Sequence, residues 1–236
     1  MDLHVHTCLS PCGDLAMLPG QIAARARRRG LDAIGIADHN SAENVAAVRN
    51  AAGREGVAVV GAMEVTSEEE VHVLALFDDD ASLSGFQRVV YDNLPGVNDE
   101  RAFGEQVLVD ERDEVTGIND RLLIGATTLS VDEVVDAIHS LGGVAVAAHV
   151  DRERFGIIGQ LGFIPDGLAL DGVELATKPP PGVLRAYGFP AIVSSDAHFL
   201  EDIGRNATVF RVEEATAGEV GRALRNEDGR SVIAYS

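Results

Sequence analysis

The chain has 236 residues, 46% of them hydrophobic, and its 38 acidic and 19 basic side chains give a net charge of −19. That length supports one substantial core, either a single α/β barrel or two small domains. So acidic a surface repels phosphate backbones and disfavours long nucleic acid, but not a small phosphorylated partner, because bound cations reverse the field locally.

No apolar run reaches the ~18 residues that a membrane span needs. The opening Met1-Asp-Leu-His4 lacks the basic-then-apolar order of a signal peptide, so the expected compartment is the cytoplasm. Cys8 and Cys12 cannot build a disulfide framework. They read as two reduced thiols, with a metal contact or a redox pair as the sharper alternative.

In chain order, residues 2–7 read as a short alternating strand. Residues 19–29 read as a helix, opened by Pro19 and stopped by Gly30. Residues 31–37 form a buried strand, and Ser41 is placed to cap a second helix running to about Arg54. Strands follow at 57–60 and 71–77, and this alternation predicts parallel βαβ units. From 78 to 126 the pattern blurs, and the stretch reads as an insertion over the scaffold. Ser130 and Glu133 form a capping box for a helix that ends near Gly142. Further strands are expected at 144–148, 172–175, 191–194, 208–212 and 231–235, with a helix starting near Thr216. About seven parallel strands without a linker predict a single-domain α/β barrel.

Of the seven histidines, only His139 falls inside a predicted helix. His4, His6, His39, His72, His149 and His198 stand at or just after apolar runs, where the strand ends of a parallel barrel converge. His4 and His6 flank Val5, and Asp196 and His198 flank Ala197, so each pair points to one face of its strand. Glu64 and the loop acid Asp14 complete the candidate ligands. Imidazole nitrogen with carboxylate oxygen suits Zn, Mn or Fe ions. The set is too large for one ion and sufficient for two or three. Three divalent ions against three carboxylates leave about +3, enough to attract a phosphate.

At these residues the sequence resembles the polymerase and histidinol phosphatase (PHP) family. The resemblance rests on Asp2-Leu-His-Val-His-Thr7, Ala37-Asp-His-Asn40, Ala148-His-Val150 and Ser195-Asp-Ala-His198, with Met63-Glu-Val65 and Val71-His-Val73 between. It implies a distorted TIM-like barrel of the (β/α)7 type and a trinuclear metal site. It carries ligand roles to His4, His6, Asp14, His39, Glu64, His72, His149, Asp196 and His198. The loop is longer than in many members and contains Pro11-Cys12-Gly13. Asp14, five residues before Pro19, fits the family spacing and is preferred to Cys12.

The resemblance also implies hydrolysis of a small phosphomonoester by a hydroxide bridging the metals. Asp38 is a candidate for orienting an imidazole beside it, and Arg152, Arg205 and Lys178 are candidates for holding phosphate. The alternatives are an exonuclease or phosphodiesterase on short oligonucleotides and a non-catalytic, metal-stabilised module. Hydrolysis of a C–N bond fits less well, because Lys178, the chain's sole lysine, is followed by Pro179-Pro-Pro181, a poor setting for a metal-bridging group.

Overall fold

A computed structural model describes residues 1–180 and 182–236. The first half alternates as its apolar periodicity requires: β1 (Asp2–Val5), α1 (Pro19–Arg28), β2 (Ala33–Ile36), α2 (Val45–Glu55), β3 (Ala58–Thr66) and β4 (His72–Phe77). Next come α3 (Asp80–Asp92), α4 (Glu100–Phe103), and the strands β5 (Val107–Val109) and β6 (Val115–Ile118). The remainder is α5 (Val131–Ser140), β7 (Val144–Ala147), α6 (Ile157–Leu161), β8 (Gly172–Leu175), β9 (Arg185–Ala186), β10 (Phe189–Val193), β11 (Thr208–Arg211), α7 (Ala217–Arg225) and β12 (Ser231–Tyr235).

The main sheet runs β1-β2-β3-β4-β7-β8-β10-β9, a curled sheet with α1, α2, α3 and α5 outside, which makes a distorted TIM-like barrel. Val5 bridges Ala197 in parallel, and the hydrogen bonds His6 N to Ala197 O (3.0 Å) and Ala197 N to His4 O (3.2 Å) draw the two ends of the sheet together at one rim. The strands are not all parallel, as the sequence rhythm suggested. β4 runs antiparallel to both β3 and β7. The link from β3 to β4 spans only 67–71, far short of the dozen or so residues a parallel crossover needs.

Side chains alternate across each strand, so one face of the sheet looks inward. Val60 and Ala62 share that face with Glu64 on β3, and Leu74 and Leu76 share it with His72 on β4. Ala217, Val220, Leu224 and Val232 pack on the apolar part of this inner core. The outward face, with Met63, Val65, Val73, Ala75 and Phe77, packs against α1, α2, α3 and α5.

Three local expectations changed. α2 starts at Val45, with Asn44 and not Ser41 at its N-cap; the Ser41 hydroxyl bonds the Tyr91 hydroxyl at 2.8 Å and accepts from Glu43 N at 3.4 Å. β3 extends through Glu64 to Thr66. The 78–126 stretch is not irregular throughout: Asp79 caps α3, and the helix buries Leu83, Phe86 and Val90 in the outer layer. Each such side chain contributes roughly 1.5–3 kcal/mol of apolar burial. The rest of the stretch forms α4 and the β5–β6 pair, which docks on the first loop through Val107 N to Cys8 O at 3.2 Å and on the start of α2 through the Asn44 side chain to Val107 O at 3.0 Å. The Ser130–Glu133 capping box forms as expected.

Candidate metal centre

The strand ends place five imidazoles around one carboxylate, with a sixth, His198, beside them. Glu64 Oε1 lies 2.8 Å from His72 Nδ1 and 3.0 Å from His149 Nε2. Its Oε2 lies 3.0 Å from His39 Nδ1 and 3.4 Å from both His4 Nε2 and His6 Nε2. Asp196 Oδ1 stands 3.1 Å from His6 Nε2 and 3.3 Å from His4 Nε2, and His198 stacks on His6 with centroids 4.1 Å apart. His72 opens its strand instead of closing it. Because β4 is antiparallel, its start lies at the same rim as the ends of its neighbours.

The backbone at this rim is held in an uncommon conformation. Asn40 (φ 49°), His149 (φ 29°) and Asp196 (φ 49°) are all left-handed without being glycine, and such strain concentrates at functional sites. Asn40 also binds the far side of the cleft: its side-chain amide donates to Leu123 O (2.9 Å) and Gly125 O (2.8 Å). Ile124 thereby lines the cavity with Cys12, Arg152 and Phe155. Phe155 stacks on His72, with centroids 4.5 Å apart.

Two side chains set imidazole tautomers. Glu174 on β8 is buried and accepts from His4 Nδ1 at 2.9 Å, a role that the sequence did not suggest. Its one legible trace was an acid inside an otherwise apolar strand, Gly-Val-Glu-Leu. Asp38 does not touch an imidazole directly, as had been expected. It accepts from Thr7 N, Thr7 Oγ1 and Ser10 Oγ, so the Ser10 oxygen is left to accept from His6 Nδ1 at 2.9 Å. With both Nδ1 atoms donating outward, the Nε2 atoms of His4 and His6 face each other at 3.0 Å.

Two opposed imidazole nitrogens with Glu64 and Asp196 oxygens around them need positive charge at their centre. In the bare chain a proton answers: burial pushes His4 down, but Glu174, Glu64 and Asp196 hold it well above the usual histidine range. Burial and then the His198 charge hold His6 well below that range. Burial raises Glu64, yet His72, His4 and His39 keep it well below a normal carboxyl. Burial likewise raises Asp196, while His4 and the hydrogen bond from His6 hold it far below normal. Glu64 Oε2 and His39 Nδ1 are buried and make no hydrogen bond despite their 3.0 Å separation. A donor set of imidazoles and ionised carboxylates, with orphaned atoms aimed inward, fits divalent cations.

Three expected site residues lie elsewhere. Asp14 is exposed, and its carboxylate accepts from Ala16 N at 2.7 Å as a turn cap. That local partner outcompetes reaching into the rim. Arg205 is exposed and pairs with Asp202 at 3.5 Å. Lys178 is exposed beside Pro179, Gly182, Leu184, Ala234 and Tyr235, not on the histidine cavity. Arg152 does reach the site and contacts Asp196 Oδ2.

Replacing Glu174 with Leu leaves the buried His4 Nδ1–H unpaired, at a cost of roughly 1–3 kcal/mol. The expected result is a 10- to 100-fold loss of metal affinity, of the order seen when partners behind a ligand are removed. Competition with a chromogenic chelator measures it, and wild-type affinity in the variant would refute the orienting role.

Histidines and carboxylates at the rim of a TIM-like barrel define a metal-dependent hydrolase barrel. The chain belongs to the PHP domain family: residues 2–152 match the family model, and residues 182–228 match that of the PHP-associated region. It is 29% identical over 106 residues to the uncharacterized protein YqxK of Bacillus subtilis (strain 168), covering 41% of this chain and 27% of YqxK. Its fold resembles the lesion-specific endonuclease PfuEndoQ of Pyrococcus furiosus, with a TM-score of 0.70, 18% identity, and coverage of 99% of this chain and 57% of that one. It also resembles a candidate metal-dependent phosphoesterase of Bifidobacterium adolescentis, with a TM-score of 0.54, 20% identity, and coverage of 84% and 87%. The chain thus spans about a quarter of YqxK and 57% of the endonuclease. No helix among the described residues is long and apolar enough to cross a membrane.

Proposed function

We propose that this chain hydrolyses small phosphomonoesters at a centre of two or three divalent ions, Mn, Fe or Zn. The observation that carries this reading is the convergence of His4, His6, Glu64 and Asp196, whose ligand atoms all lie within 4.8 Å of one another. Divalent ions held there supply Lewis acidity and a nucleophilic water at neutral pH.

The chain's own residues perform the rest. Glu174 and the Asp38–Ser10 pair keep His4 and His6 presenting Nε2. Arg152, at the mouth beside Asp196, is the cation placed to receive a phosphoryl oxygen. Phe155 and Ile124 wall the cavity and limit water. The cavity is about 220 Å³, a volume that suits a phosphate group and a small leaving group.

A second reading, cleavage of a nucleic-acid phosphodiester, draws on the fold likeness to the lesion-specific endonuclease over 99% of this chain. The net charge of −19 weighs against a long polyanion unless other surfaces contribute. The test is product release from sugar phosphates, nucleotides, short oligonucleotides and a lesion-bearing duplex after Mn²⁺ reconstitution. Release from monoesters, abolished by chelation and by His4→Ala, is expected. Turnover of the duplex alone would move the assignment to the second reading. Turnover of nothing by a metal-loaded chain would leave a binding module.

A further inference from the structure

The first loop brings a thiol, not the expected carboxylate, to the histidines. Cys12 Sγ lies 3.2 Å from His39 Nε2 and lines the same cavity as His198. The loop is built to hold it there. Asp38 fixes Thr7 and Ser10, and Gly13 N donates to Ser10 O at 2.8 Å. A Cβ at Gly13 would stand 2.5 Å from Thr7 O, so the tight turn that presents Cys12 requires glycine. Independently, His39 Nδ1 and Glu64 Oε2, both in side chains more than nine-tenths buried, face each other at 3.0 Å inside the same cluster and neither makes a hydrogen bond. Ligand atoms of His6, His39 and His198 lie within 4.8 Å of one another, a group that includes no carboxylate.

We propose that Cys12 is a metal ligand, completing with His39 and His198 a sulfur–nitrogen subsite for one divalent cation. It takes the place that sequence spacing gave to Asp14. This rests on the metal-centred reading above. On binding, the S–H proton leaves to solvent and a sulfur–metal bond forms. Thiolate with imidazole favours Zn²⁺, Co²⁺ or Fe²⁺, whereas the positions nearer Glu64 and Asp196 also suit the harder Mn²⁺. One position of the cluster therefore selects a softer ion than its neighbours. Cys8 takes no part: its buried sulfur makes only long contacts, 3.7 Å to Val107 O and 3.9 Å to the Asn44 amide.

The test is Co²⁺ titration of the chelator-stripped full chain under argon, followed by absorbance. A near-ultraviolet thiolate-to-cobalt band should grow alongside the visible bands of nitrogen- and oxygen-bound cobalt. Cys12→Ser should lose the first and keep the second, while Cys8→Ser and Asp14→Asn keep both. The preference for Zn²⁺ over Mn²⁺ should fall at least about tenfold in Cys12→Ser, equivalent to about 1.4 kcal/mol. On the wild-type chain alone, Zn²⁺ should protect Cys12 from iodoacetamide, as read by peptide mass. Visible bands without the near-ultraviolet band in wild type, a band that survives in Cys12→Ser, or Cys12 alkylated freely in the zinc-loaded chain would each overturn the proposal while leaving the metal centre standing. Absence of every cobalt band would overturn both.

Discussion

Glu64→Gln is expected to lower phosphoester hydrolysis at least about 100-fold and to release bound metal. Removing a partner that merely orients a ligand costs 10- to 100-fold, and Glu64 sits inside the cluster itself, which makes that figure a floor. Its two oxygens stand within 3.4 Å of His4, His6, His39, His72 and His149. Glutamine keeps the volume on β3 but substitutes an N–H donor and removes the negative charge, and neither change suits a bridging ligand. The side chain is 1% exposed, so bulk water does not screen the change. The measurement is kcat/KM with metal content by mass spectrometry on the same sample. A variant retaining wild-type metal and rate would remove Glu64 from the centre of the scheme.

The second large effect is on stability. Metal loading is expected to raise Tm by about 5–10 °C for each ion held at a free concentration 100-fold above its Kd. Binding to the native state alone contributes about 2.7 kcal/mol at that ratio, and a chain of this length shifts by about 2–4 °C per kcal/mol. Protons should be released as the ions enter, because His4, pushed down by burial, is nevertheless held well above the usual histidine range by Glu174, Glu64 and Asp196. Apparent affinity should accordingly fall as pH falls. Scanning calorimetry of chelated and reconstituted samples checks the shift. Equal Tm values for the two at confirmed loading would mean that the cluster does not bind ions in the folded state preferentially.

These two experiments examine the same physical fact from opposite sides. The rim concentrates ionised carboxylates and imidazoles under an acidic surface, so it is a poor place for a bare chain to be stable. Divalent charge is what makes the arrangement favourable. The inner apolar core holds the strands in register beneath it.

The sequence was most informative where periodicity was strong. The capping box at Ser130, the strands 172–175 and 231–235, and the histidines at apolar strand ends needed only local rules to be read. A β3 that runs on to Thr66 was less legible, because every residue from Val60 to Thr66 is buried and alternation is muted. α3 was hidden by its polar composition, with burial confined to Leu83, Phe86 and Val90.

The sequence by itself determined that six of the seven histidines fall at the edges of apolar runs, and so that a barrel of this kind would gather them at one rim. It could do so because strand period and side-chain direction are local properties of the chain. Only the tertiary structure decided the direction of β4, which sets His72 at the rim from the start of its strand. Only the fold brought Glu174 behind His4, 170 residues away in the chain. The choice between Cys12 and Asp14 as the loop side chain nearest the cluster was also tertiary. Two residues of spacing separate them: the turn that brings the Cys12 sulfur to His39 is held by Asp38, a residue on another strand's end, whereas the Asp14 carboxylate is taken by Ala16 N.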